Sequence, residues 1–326
     1  MENELNCISE NVPTDMRFES FVKNEDEGLM LLEMLANRFT YHTKEEWQKK
    51  ISDKDVSVND SLASEKTVVH RADKISYVVH NYKEPYVPTD FKVIFEDDEF
   101  LLIEKPAGVP IHHTGKIFYN TFTGIVRRAL ENEEITPMHR LDRDTGGLML
   151  FAKYRDTASR FQKNLDKILL QKFYLALVPG DFPETFVCKF PLAEKKDANI
   201  RLQMFVSDSG KPCKTIFRKL KTYEQEIGNR KGAFSLVEAE LVTGRKHQIR
   251  AHLAALGFPI VGDRIYSFGG QYYLKMAKET LTEADYQILG AKHQLLYAYK
   301  VKLHLPDFKE PRIFEIPFPD SWPVKE

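Results

Sequence analysis

Between residues 138 and 154 the chain reads MHRLDRDTGGLMLFAKY, and no other segment restricts its folding as tightly. A histidine and two arginines surround Asp142, a Thr-Gly-Gly turn follows, and LMLFA then runs apolar for the length of a buried strand. A carboxylate held just before a strand, with cations beside it, stays ionised and can meet a polyanionic substrate. The same residues also suit an exposed charged turn ahead of a core strand. The physics of the segment alone leaves both readings open.

Composition narrows the setting. The chain has 326 residues, 42% hydrophobic and 29% charged, which suits two domains of unequal size better than one. Cys7, Cys188 and Cys213 lie far apart with no CxxC pair, which suggests neither a disulfide framework nor a thiolate metal site and fits a reducing compartment. No stretch approaches the roughly 18 apolar residues of a membrane span, and the polar first residues lack a leader pattern, so a cytoplasmic protein is expected. Lys and Arg number 47 against 48 acids, short of the basic excess of a generic nucleic-acid binder. Residues 1–90 carry 11 basic and 18 acidic side chains, leaving 36 and 30 for the rest, so the larger part is mildly basic. That permits a phosphate-binding surface without indicating one.

Along the chain, residues 1–20 show no sustained periodicity and read as an extended lead-in. Leu31, Met34, Leu35 and Phe39 then fall at helical spacing, and Thr43 with Glu46 forms a capping box for a second helix. Short β-branched runs at 56–59, 68–70 and 75–79 predict strands. The segment NYKEPYVPTD, 81–90, reads as a linker, giving a small domain over 21–80 and a larger one over 91–326. In the larger domain a strand, an acidic turn and a second strand end at Pro106, and TFTGIVRRALENE reads as a helix. FYLALV, IRLQMFV, FSLVEAELV and YKVKLHL read as strands, with helices at 156–167 and 247–256. Many strands with irregularly spaced helices predict an α+β fold built on a mixed, largely antiparallel sheet.

The segment HRLDRDTGGLMLFAK resembles the signature of the RluA-like family of RNA pseudouridine synthases. Three further segments resemble that family in order: LLIEKPAGVPIHHTG, KFYLALVPG and TGRKHQIRAHLAALGFPIVGDRIY. The resemblance spans about 90–320 and implies the synthase fold. It makes Asp142 the catalytic residue, Arg140 the side chain that enters the space left by a flipped uridine, Tyr174 the active-site tyrosine and Arg250 the partner of Asp142. Lys105 and His112 match the Lys-Pro-x-Gly segment and its histidine. With His139, Arg143, Arg245, Lys246, His247 and His252 they are expected to bind RNA. Gly146 stands where serine is usual, and Tyr297 where histidine is usual in the closing strand. Residues 21–80 resemble the S4 RNA-binding module, with Asp60 and Ala72 in place of common turn glycines.

Each match has a plainer alternative. A tyrosine in an apolar strand, such as Tyr174, is usually a core residue with a satisfied hydroxyl, and the 245–252 cluster suits the polar face of a helix. His112, His113, His247 and His252 lack zinc-ligand spacing, and neither GxGxxG nor GxxxxGK occurs, so no metal or cofactor is expected. The resemblance implies a structured RNA substrate, with ribosomal RNA favoured over transfer RNA, and action as a monomer without an obligate protein partner. The rivals are a noncatalytic RNA-binding or ribosome-assembly protein and a carboxylate hydrolase that would pair Asp142 with Asp144.

Overall fold

The computed structural model describes residues 14–39, 42–115, 117–194 and 199–325, and its contacts divide between Tyr86 and Val87 into two units. Among the described residues no helix is long and apolar enough to cross a membrane.

The smaller unit runs β1 (Thr14–Phe21), α1 (Leu31–Arg38), α2 (Lys44–Ser52), β2 (Val56–Val58), β3 (Ser61–Leu62) and β4 (Lys74–Tyr82). Its core forms where Leu31, Met34 and Leu35 of α1 meet Trp47 and Ile51 of α2 and Val56 and Ile75 of the sheet. Thr43 accepts the Glu46 N–H at 3.2 Å and the Glu46 carboxylate accepts the Thr43 N–H at 2.7 Å, which fixes the start of α2. Two local expectations need correction. Of the lead-in, residues 1–13 lie outside the described residues, but from Thr14 the chain is β1, paired antiparallel with β4. The run at 68–70 forms no strand beyond a single bridge from Val68 to Met30. Asp60 and Ala72 take φ of 63° and 68°, a left-handed backbone that glycine adopts more cheaply.

The larger unit begins with β5 (Lys92–Glu96), β6 (Phe100–Lys105), α3 (Phe122–Ala129), β7 (Thr136–Pro137) and β8 (Gly146–Ala152). It continues through α4 (Arg155–Phe161), α5 (Leu165–Ile168), β9 (Leu169–Pro179), β10 (Thr185–Cys188), β11 (Leu192–Glu194), β12 (Met204–Val206), β13 (Thr215–Ile227) and β14 (Arg230–Leu241). It closes with α6 (Gln248–Ala255), α7 (Gln271–Met276), α8 (Glu283–Leu289), β15 (Leu296–Leu303) and β16 (Arg312–Glu315). The main sheet runs β10-β13-β14-β9-β15-β8-β6-β5, with β7 paired to β8 and β16 to β15. Every pairing is antiparallel except β15 with β8, which join in parallel through Tyr297 opposite Gly146 and Ala298 opposite Gly147. The fold is therefore α+β with a mixed, largely antiparallel sheet. Strand β8 is buried at every residue, so the apolar run after Asp142 occupies the sheet interior.

Gly147 shows why this seam needs glycine. Its φ is 109°, and a Cβ there would lie 2.2 Å from the Ala298 carbonyl oxygen. The strand expected over IRLQMFV shrinks to β12, and β13, whose single-sided alternation lies among many charges, was not anticipated.

Candidate active site

Asp142 lies between β7 and β8, and the residues after it are tied down one by one. The Arg143 carbonyl accepts from the Gly108 N–H at 2.8 Å and from Lys105 Nζ at 3.2 Å. Lys105 Nζ also donates to the carbonyls of Thr145 at 2.9 Å and Pro106 at 2.8 Å. Gln294 Nε2 donates to Thr145 Oγ1 at 2.7 Å. Asp144 accepts from Arg264 Nη1 at 3.0 Å on one oxygen, and its other oxygen lies 3.0 Å from His293 Nδ1. Burial would raise the Asp144 pKa, but the His293 hydrogen bond and the Arg264 charge outweigh it and hold the carboxyl below the usual range.

Arg250 joins this loop to α6. Its Nη1 donates to Asp142 Oδ2 at 2.7 Å, while Nε and Nη2 hold the two oxygens of Asp263 at 2.7 and 2.9 Å. Asp263 is fully buried and also accepts the N–H groups of Ile265 and Tyr266 at 2.9 and 3.1 Å. The bidentate grip sets the plane of the guanidinium, which leaves one nitrogen aimed at Asp142. Burial works against the charge of Asp142, but Arg250 outweighs it and keeps the carboxyl below its ordinary value. The Asp142 side chain retains 26% of its exposure, so the ionised oxygens are open to a substrate.

Both groups line an open cleft with Arg140, Tyr174, Leu241, Arg245, His247 and Leu296. Tyr174 comes from β9, opposite Ala239 of β14 and Ala298 of β15, two small neighbours that leave room beside its ring. Burial, and then the Asp142 charge, push its hydroxyl pKa well up, so a neutral phenol faces the cleft. His247 stands 3.8 Å from Asp142 with a left-handed φ of 54°. Burial, then the Arg250 charge, pull its pKa down to about 4, so the ring is neutral near pH 7.

The structure thus brings Asp142, Arg140, Tyr174, Arg250, Arg245 and His247 to one cleft and sets other expected RNA contacts elsewhere. Lys105 is fully buried, its three carbonyl bonds use all three ammonium protons, and burial brings its pKa down to about 7. It pins the Asp142 loop and has no ammonium proton left for a phosphate. His252 is likewise buried, with Nδ1 3.0 Å from Thr215 Oγ1 and Nε2 2.9 Å from the Phe190 carbonyl. His139 accepts the Leu150 N–H at 3.1 Å, and burial takes its pKa to about 3, so it offers no charge to a phosphate. His112, Arg143 and Lys246 are exposed; Arg143 Nε donates to the Gly108 carbonyl at 3.0 Å and Lys246 pairs with Glu194 at 3.2 Å.

Two contributors escaped the sequence reading. Asp263 stands in the quoted GDRIY, but its partner Arg250 is on another turn of chain and only folding reveals the clamp. Gln248 accepts the Arg245 N–H at 3.0 Å and donates to the Lys214 carbonyl at 3.0 Å, fixing the turn that delivers Arg245 and His247. The two departures from the family pattern also meet here. A Cβ on Gly146 would lie 3.1 Å from the Tyr297 ring, and the Tyr297 hydroxyl donates to Glu104 at 2.5 Å.

Comparison with known proteins points the same way. Residues 99–255 match the family model described as RNA pseudouridylate synthase. The chain is 34% identical over 258 residues to the mitochondrial tRNA pseudouridine(32) synthase of Saccharomyces cerevisiae, covering 78% of this chain and 54% of that protein. It is 28% identical to the ribosomal large subunit pseudouridine synthase D of Nitrosomonas europaea, covering 98% of this chain and 87% of that protein. Against yeast, rice and human relatives the chain spans 54%, 64% and 44% of their length. Among solved structures, human RNA pseudouridylate synthase domain containing 1 shares the fold, with a TM-score of 0.54 at 22% identity over 72% of this chain and 86% of that one.

Proposed function

We propose, from the match of residues 99–255 to the RNA pseudouridylate synthase family model, that this chain isomerises specific uridines of structured RNA to pseudouridine, with Asp142 as the catalytic carboxylate. The observation that carries the reading is the Asp263–Arg250–Asp142 chain, which presents one ionised carboxylate at the floor of an open cleft. A uridine must leave its stack to reach that floor, at a cost of a few kcal/mol that phosphate contacts offset. Arg140 fills the space the base leaves, Tyr174 stacks on the extracted uracil, and Arg250 keeps Asp142 deprotonated and oriented.

The net change breaks N1–C1′, joins C5 to C1′, and moves a proton from C5 to N1. No redox equivalent enters that balance. A carboxylate so placed can begin by attacking carbon or by removing a sugar proton, and both routes need the ionised form that Arg250 maintains. An ionised Tyr174 is a poor candidate to take the C5 proton, because burial and Asp142 disfavour its phenolate. The hydrolase reading loses its second acid, since both oxygens of Asp144 are engaged by Arg264 and His293.

Large-subunit ribosomal RNA is the favoured substrate, supported by the likeness to the Nitrosomonas enzyme along 98% of this chain. Transfer RNA is the second reading, supported by the higher identity, 34%, to the yeast enzyme. Action as a monomer goes with this reading, since the motifs that carry the site all lie in this one sequence. Pseudouridine mapping of total RNA from matched cells carrying the native protein or D142N separates these readings. Loss of one or a few sites with protein abundance unchanged is expected, and the lost sites name the RNA. An identical map would favour a noncatalytic RNA-binding protein.

A further inference from the structure

One cation beside the cleft has no part in this scheme. Lys172 lies on β9 two residues before Tyr174, so the two side chains leave the same face of the sheet. Its Nζ lies 3.8 Å from where a Cβ on Gly244 would stand, and its charge acts on His139. Gly244 precedes Arg245 and His139 precedes Arg140, the two exposed arginines of the cleft. Lys172 therefore adjoins both segments that supply them.

Among the described residues none of these three cations is in an ion pair, although the Arg140 charge acts on Asp142 across the cleft. Neither Lys172 nor Arg140 makes a hydrogen bond or ion pair, and the Arg245 side chain has only a 3.4 Å bond to the Pro212 carbonyl. Lys172 is also half-buried, and burial lowers its pKa from the ordinary lysine value. Partly burying an ammonium without a partner costs free energy. A methionine would pack the same stem without that cost, so packing does not explain the charge.

We propose that Lys172 binds a backbone phosphate of the RNA strand that enters the Asp142 cleft, forming with Arg140 and Arg245 a cationic rim around the catalytic carboxylate. The proposal rests on the RNA-modifying reading of the same site and adds a substrate contact to it. A phosphate supplies the missing counter-charge, and the RNA backbone offers one at every nucleotide. Lys172 is a binding residue here and takes no part in bond making.

The test measures binding apart from chemistry. Full-length D142N protein, alone and with K172M or K172R, is titrated by filter retention against unmodified transfer RNA and large-subunit ribosomal RNA transcripts, from about 50 to about 200 mM salt. With K172M the slope of log affinity against log salt becomes shallower by about 0.7 to 0.9, the share of one phosphate contact. K172R, which keeps the charge, restores the parent slope. A parent slope in K172M, or an equal loss in K172R, overturns the proposal. If K172M melts early, K172Q replaces it under the same criteria. The two readings fail separately: a native protein that makes no pseudouridine while K172M still loses its phosphate share sinks the enzyme reading alone. An active native protein with an unchanged K172M slope sinks this contact alone.

Discussion

The floor and the rim of the cleft use the same residue types in opposite ways. At the floor, Arg250 and Lys105 are buried and spend their donors on Asp142, Asp263 and three carbonyls. At the rim, Arg140 and Arg245 are exposed and make no ion pair with any described carboxylate. The difference teaches that a cation's role follows from what it has already bonded. A buried arginine between two carboxylates orients a reactive group, whereas an unspent one waits for a polyanion.

The sharpest way to break this contrast is to remove one arginine from each region. Arg250→Met leaves fully buried Asp263 without its partner, so a stability loss of about 3–5 kcal/mol is expected together with loss of pseudouridine formation. Arg245→Met is expected to change the unfolding free energy by no more than about 0.5 kcal/mol while weakening RNA binding at low salt. Urea unfolding and RNA titration of both variants would show it, and equal stability losses would dissolve the distinction.

A smaller effect probes the root of the floor. Gly146→Ser puts a side chain 3.1 Å from both the Tyr297 ring and the Lys105 carbonyl, so overpacking of about 1–3 kcal/mol is expected. Adding Tyr297→His should recover a measurable part of it in a double-mutant cycle, because the smaller ring frees the space. Strict additivity would mean that the two departures from the family pattern are unrelated.

The smallest effect is in acid. The folded pKa of Asp142 lies below its ordinary 3.8, so on acidification the unfolded chain takes up that proton first. The stabilisation is fully present above pH 3.8 and is lost as pH falls through the lower folded value. Thermal melts across this range should therefore show a shallower decline for D142N than for the native protein. Parallel curves would remove Arg250 as the keeper of the ionised state.

What the sequence displayed was mostly what is contiguous. Asp142, its flanking cations and β8 sit in one run of residues, so order and residue type were enough to expect a charged loop before a buried strand. Lys105, His139 and His252 were misplaced for the opposite reason. Their residue types suit phosphate, but their burial comes from chain segments far away in sequence. The same holds for β1, whose partner β4 lies some sixty residues on and whose own pattern is weak. Lys172 was passed over because it stood inside an apolar strand beside a more conspicuous tyrosine.

The parallel seam of β15 with β8 makes one strand the join of the whole site. Strand β15 lies between β9, which carries Tyr174, and β8, which follows Asp142, and it is the hydrogen-bonded bridge between them in the sheet. Without Leu296–Leu303, the segment that follows Asp142 and the strand that carries Tyr174 would lie on separate pieces of sheet. A chain that lacked β15 would thus carry the 138–154 motif without the strand that joins it to Tyr174.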